Sequence, residues 1–210
     1  MPSQKTRINI TVVALLGLVG LVLGVFISQQ VHFHQEKNLS EFNGTLLDTP
    51  RDVSTFSLIG TDEKPFNNQQ LKGHWTMMFF GFTNCGSICP TTMSELAKTY
   101  QLLKKNGVTE LPKVVMVTLD PDRDSLVKLK QYVKAFNPNF YGARGDETAV
   151  EVLAREMGIA YTKVALKSSS YNIEHTGTVM LFNPNGKLVA FFTTPHHAKQ
   201  LARDYQLLVS

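Results

Sequence analysis

The sequence predicts an α/β sandwich on a mostly parallel central sheet, preceded by one N-terminal transmembrane helix. Three observations lead there. Short, dense apolar runs alternate with helical periodicities from residue 56 onward, a hairpin signal follows near the end, and residues 8 to 31 contain no Asp, Glu, Lys or Arg. Alternating strands and helices imply parallel pairing with both sheet faces covered, because each parallel crossover needs a long connection that packs back onto the sheet.

The charge-free run from Ile8 to Val31 would extend about 36 Å as a helix, enough to cross a hydrocarbon core. Lys5 and Arg7 stay on the cytoplasmic side, so the rest of the chain lies beyond the membrane. A cleaved signal peptide has a similar basic start, but the run is long for one and no A-x-A-like site precedes His32. A retained anchor over residues 1–31 is therefore expected, ahead of the signal peptide and of a buried soluble helix. Residues 32–50 are polar, with turn signals at Asn43-Gly44 and Asp48-Thr49-Pro50, and read as a tether. Residues 51–210 suffice for one well-buried domain.

Within that domain Phe56 to Ile59 is a short strand, and Gly60 to Gly73 is a turn-rich connection. Trp75 to Phe82 is apolar enough for a strand buried on both faces. Pro90 suits the first turn of a helix and drives its predecessor extended, which predicts Cys89 as N-cap and a helix over Thr91 to Lys105. Met93, Leu96, Ala97, Tyr100 and Leu103 recur on one face of it. A second buried strand spans Val114 to Leu119, and a helix from Ser125 to Phe136 follows, with Asp124 as its cap. A strand (Phe140 to Ala143), a helix (Glu147 to Met157) and a loop (Ser168 to Thr176) come next. Strands at Thr178 to Phe182 and Lys187 to Phe192 flank Asn183-Pro184-Asn185-Gly186, a hairpin turn, and a last helix covers Ala198 to Leu208.

Composition excludes little except nucleic acid. The net charge of +4 includes Lys5 and Arg7, which leaves roughly +2 spread over everything after them, and nothing there argues for nucleic acid. The chemistry points instead to the only two cysteines, Cys85 and Cys89, in "GFTNCGSICPTTM". A structural disulfide there would close a very short loop, where the entropic gain is smallest. Two thiols at a strand-to-helix turn suit redox exchange or a soft metal, and a helix start should ease ionisation of Cys89. Zinc would need two further ligands, whereas cuprous copper is satisfied by two thiolates and one imidazole. His175, His196 and His197 rank together as its source; His32 and His34 fall in the tether, and His74 precedes the central strand. Peroxide reduction is excluded because neither cysteine has threonine three residues before it. Asp120, at the end of the second strand, is either an outer-shell carboxylate or a turn residue before Pro121, and Asp124 is first a helix cap.

"FFGFTNCGSICPTTM" (79–93), "VTLDPDRDS" (117–125) and "YNIEHTGTVMLFNPNGKL" (171–188) together resemble the three signature stretches of the Sco/SenC family of membrane-anchored copper proteins. The resemblance covers roughly residues 50 to 206. It implies a thioredoxin-like fold, copper (cuprous or cupric) held by Cys85, Cys89 and His175, and a role in assembling the dinuclear copper site of cytochrome c oxidase. It also aligns Asp120 and Asp124 with the family's D-P-x-R-D stretch. The partner implied is the copper-site subunit of that oxidase or another cuproprotein. Gly86 stands where the family usually has proline and Asn84 where a histidine is common, so a looser sulfur spacing is expected. The alternative function is a periplasmic thiol-disulfide oxidoreductase acting through Cys85 and Cys89, although the Cys-x2-Cys of ordinary thioredoxins is absent. Seven residues before the apolar run leave no room for a mitochondrial presequence, so a single-pass location in a bacterial inner membrane, domain in the periplasm, is expected.

Overall fold

The computed structural model describes residues 16–24, 41–166 and 170–209. The chain divides into two units, residues 1–38 and 39–210. In the first, residues 16–24 are helical with exposed side chains; the rest of the expected span over Ile8 to Val31 lies outside the described residues. Among the described residues no helix is long and apolar enough to cross a membrane.

The second unit carries an eight-stranded sheet. Its strands are β1 (Thr45–Arg51), β2 (Ser57–Gly60), β3 (Pro65–Asn67), β4 (Thr76–Gly81), β5 (Lys113–Thr118), β6 (Tyr141–Arg144), β9 (Val179–Phe182) and β10 (Leu188–Phe192), in the order β1-β10-β9-β4-β5-β6-β2-β3. The expected parallel sheet is realised at its centre, where β4, β5 and β6 run parallel, while every other pairing is antiparallel. The sheet is therefore mixed. All six residues of β4 are buried, which explains why the sequence shows an unbroken apolar run there rather than alternation. Helices are α1 (Ile88–Lys105), α2 (Leu126–Phe136), α3 (Glu147–Glu156) and α4 (Ala198–Val209). α1 packs against α4, and α2 against β6.

Several boundaries differ from the expectation, each for a local reason. Residues 45–51, all but the last read as tether, form β1 by pairing with β10; a mostly exposed edge strand needs no apolar face and so leaves no periodic signal. β7 (Tyr161–Ala165), in a stretch given no element from the sequence, and β8 (Tyr171–His175), within the stretch read as loop, form a separate two-stranded sheet. Only Ile173 of that pair is buried, so its hydrophobic pattern is too weak to read. α1 begins at Ile88 with Ser87 at the N-cap, which puts Cys89 inside the first turn rather than at the cap. Asp124 is not a cap either: Ser125 accepts the Lys128 N–H at 3.2 Å and starts α2. The β9–β10 turn forms as expected. Asn183 Oδ1 accepts from the Asn185 and Lys187 amides, and Gly186 takes φ 75°, which favours glycine.

Candidate metal centre

β4 ends at Gly81 and delivers the chain into the loop carrying Cys85, while the first turn of α1 carries Cys89. Gly81 is a steric necessity. A Cβ there would sit 3.0 Å from Cys89 Sγ and 2.7 Å from a ring carbon of Phe79. Its absence lets the buried Cys89 thiol tuck against the end of the strand.

The first amides of a helix lack intrahelical partners. Ser87 makes no side-chain cap, and the Cys89 N–H instead donates to Cys85 Sγ at 3.4 Å. The half-buried Cys85 sulfur thus does the work of a cap acceptor, a role that favours its ionised form. The hydrogen bond from the Cys89 thiol is the largest influence on Cys85, with smaller help from neighbouring amides, and its pKa falls to about 4 against partial opposition from burial. Cys89 moves the other way. Its proton is held by the Cys85 sulfur, and burial adds to the effect, so its pKa is raised well above the ordinary thiol range. This reverses the expectation that Cys89 ionises easily: the pair shares one proton, which resides on the buried sulfur.

β8 brings the third group. His175, at the end of that strand rather than in a loop, places Nε2 3.2 Å from Cys89 Sγ. Its Nδ1 lies 3.0 Å from the Thr176 carbonyl oxygen, so Nδ1–H donates there and Nε2 keeps its lone pair toward the sulfurs. The rings of Phe79 and Phe82 flank the imidazole at centroid distances of 6.0 and 5.9 Å. One donor atom each from Cys85, Cys89 and His175 falls within 4.8 Å of the others. Three donors bonded to one ion at about 2.0–2.3 Å stand roughly 3.5–4 Å apart, so a small contraction seats an ion among them. Two sulfurs and one imidazole nitrogen make a soft set, unsuited to calcium or magnesium.

The other described histidines do not join this group. His196 donates Nε2–H to the Gly177 carbonyl at 2.6 Å, His74 is half-buried ahead of β4, and His197 is exposed; His32 and His34 lie outside the described residues. Neither Asp120 nor Asp124 hydrogen-bonds to a donor residue, yet both are wholly buried and hold the segments that bear them. Asp124 accepts from the Thr83 amide at 2.9 Å, the Thr83 hydroxyl and the Thr118 hydroxyl at 2.7 Å, with Lys128 Nζ at 3.5 Å. Thr83 lies two residues before Cys85. Lys128 also donates to the side chain of Asn84 at 3.0 Å. Asp120 accepts from the Tyr171 hydroxyl at 2.6 Å and from Arg123 Nε at 2.5 Å, and its carbonyl accepts the Arg123 and Asp124 amides as a turn residue would. Thr83, Arg123, Lys128 and Tyr171 were not singled out from the sequence. All four lie in or beside the quoted motif stretches, but a polar residue in a motif does not disclose its partner.

Comparison with known proteins matches residues 45–210 to the SCO1/SenC family profile. A SCO2-like protein of Rickettsia felis is 29% identical over 203 residues, covering 96% of each chain. Among solved structures, ScoI of Arabidopsis thaliana, with copper bound, superimposes with a TM-score of 0.71 at 30% identity, covering 74% of this chain and 97% of that one. Apo Sco1 of Thermus thermophilus gives 0.69 at 31% identity, with coverages of 80% and 96%.

Proposed function

The chain belongs to the SCO1/SenC family, whose thioredoxin-like fold it shares, and we propose that it is a copper carrier. Cys85, Cys89 and His175 bind one copper ion as cargo and hand it to the copper-site subunit of cytochrome c oxidase or to another cuproprotein. The observation that carries this reading is the convergence of two sulfurs and a lone-pair-bearing imidazole nitrogen from three separate segments. Copper bound to ScoI of Arabidopsis thaliana supports the choice of metal. Loading requires the Cys89 proton to leave, so affinity rises with pH. The proposed setting is the periplasmic face of a bacterial inner membrane, with the charge-free run as anchor, a setting that rests on the sequence.

The test is an anaerobic copper titration of the reduced protein, read by absorption and paramagnetic resonance. One ion should bind per chain, either cysteine variant should abolish the complex, and His175→Ala should weaken cupric binding more than tenfold while leaving dithiol oxidation nearly unchanged. Equal cupric binding by His175→Ala removes the site as drawn.

A second reading has its own support, because a half-exposed thiolate beside a buried thiol is the arrangement of a disulfide reductant. The Cys85 thiolate would attack a client disulfide and release one client thiolate. Cys89, losing its proton, would then displace the second client sulfur from Cys85, leaving the client reduced and a Cys85–Cys89 disulfide behind. A closed disulfide offers no thiolates to copper, so the two activities exclude each other on one molecule at one time.

A further inference from the structure

The strand that carries His175 belongs to a hairpin outside the main sheet, since β7 and β8 pair with each other and, among the described residues, with no other strand. Something else must fix how close the imidazole comes to the sulfurs. Along a strand alternate residues share a face, so Tyr171, Ile173 and His175 point the same way. Ile173 is buried and His175 reaches Cys89, which leaves Tyr171 as the remote grip, about 13 Å back along the strand. Tyr171 is held at three points. Its hydroxyl donates to Asp120 Oδ1 at 2.6 Å, its carbonyl accepts from Arg123 Nη1 at 2.7 Å, and the Arg123 guanidinium lies 3.7 Å from its ring centroid. Arg123 Nε in turn pairs with Asp120 Oδ2, which closes a triangle.

The base of that triangle is the platform that carries the thiols. Asp120 is fully buried at the end of β5, one residue after Leu119, whose amide donates to the Gly81 carbonyl at 2.8 Å. Gly81 is the residue that seats Cys89. A continuous chain of contacts therefore runs from the sulfur platform through Asp120 to Tyr171, and along β8 to His175.

We propose that Asp120, Arg123 and Tyr171 are positioning residues that hold His175 Nε2 at bonding range of the two sulfurs, and that loosening this latch turns a two-sulfur, one-nitrogen copper site into a two-sulfur one. The proposal rests on the copper-carrier reading and deepens it. Cuprous ion tolerates two thiolates alone, whereas cupric ion draws more on imidazole, so the latch governs cupric binding above all.

Tyr171→Phe tests it, because the ring beneath Arg123 stays and only the hydroxyl contact to Asp120 is lost. If the docked hairpin falls to a fraction of molecules, apparent cupric affinity drops by that fraction, here about five- to tenfold. Cuprous affinity should change less than about twofold, and the nitrogen hyperfine signature of the cupric complex should weaken. In a His175→Ala background the same substitution should have no further effect on copper, although any cost to stability would persist. A metal-free arm separates the two claims: nitrogen-15 spectra of the His175 ring in the reduced protein should show one Nδ1–H tautomer in the parent and an averaged ring in Tyr171→Phe. Failure of the parent to bind copper would count against the carrier reading, with the latch still judged by those ring spectra. Unchanged cupric affinity and ring spectra in Tyr171→Phe, or an equal loss of affinity in the His175→Ala background, would overturn the latch.

Discussion

Replacing Asp124 by alanine removes a buried acceptor that holds Thr83 in the loop ahead of Cys85, and the structure allows the cost to be worked out. Three donors lose their partner: the Thr83 amide at 2.9 Å, the Thr83 hydroxyl, and the Thr118 hydroxyl at 2.7 Å. A hydrogen bond to a charged group contributes about 1.5–3 kcal/mol, but the two hydroxyls can rotate toward other acceptors, whereas the amide cannot. Counting the amide in full and the hydroxyls in part gives a loss of about 3–5 kcal/mol, comparable with breaking one side of a buried ion pair. Asp124→Asn should be far milder. Its oxygen can take the place of Oδ2, its amide nitrogen can donate to a turned Thr83 hydroxyl, and the cost falls to about 1–2 kcal/mol. Urea unfolding of the reduced protein measures both. A gap of about 2–3 kcal/mol is a large part of the stability of an ordinary domain and should be plain in the midpoints. Equal losses in the two variants, or an alanine loss below about 1 kcal/mol, would show that the carboxylate does not organise the loop.

Other expectations follow from the thiols and their seat. Alkylation of the reduced protein at Cys85 should be nearly flat between pH 5 and 8 and fall only as pH drops toward about 4, since the reactive form is the thiolate. An ordinary thiol with pKa 9.0 would gain about tenfold per pH unit over that range; such a rise at Cys85 would refute the shared-proton arrangement. Cys89, buried and held protonated, should resist the reagent under the same conditions. Gly81→Ala should force Cys89 Sγ away from a contact of 3.0 Å and crowd the Phe79 ring, costing about 1–3 kcal/mol and weakening copper binding. Unaltered binding and stability in that variant would mean that the sulfur does not depend on the bare glycine.

How much could be read in advance differs between elements. β4 and β5 are buried on both faces and stand out as apolar runs, and Asn183 to Gly186 marks the β9–β10 turn by local chemistry alone. β1, β7 and β8 left no such trace, because their residues are mostly exposed and their pairing is decided by backbone partners distant in the chain. The site divides the same way. Cys85 and Cys89 announce themselves by scarcity and by the strand-to-helix turn around them, and His175 was selected among six histidines only by resemblance to a family.

The order of the well-buried strands and of the helices, the thiol pair and its soft-metal character follow from the chain alone, because they depend on residue types and short spacings. Tertiary structure decided which thiol carries the proton, which imidazole faces it, and that Asp120 and Asp124 brace segments instead of capping a helix or touching the donors. The physical reason is range. Ionisation and ligand geometry depend on atoms a few ångströms apart in space, and here those atoms come from residues as far apart along the chain as Cys85 and His175.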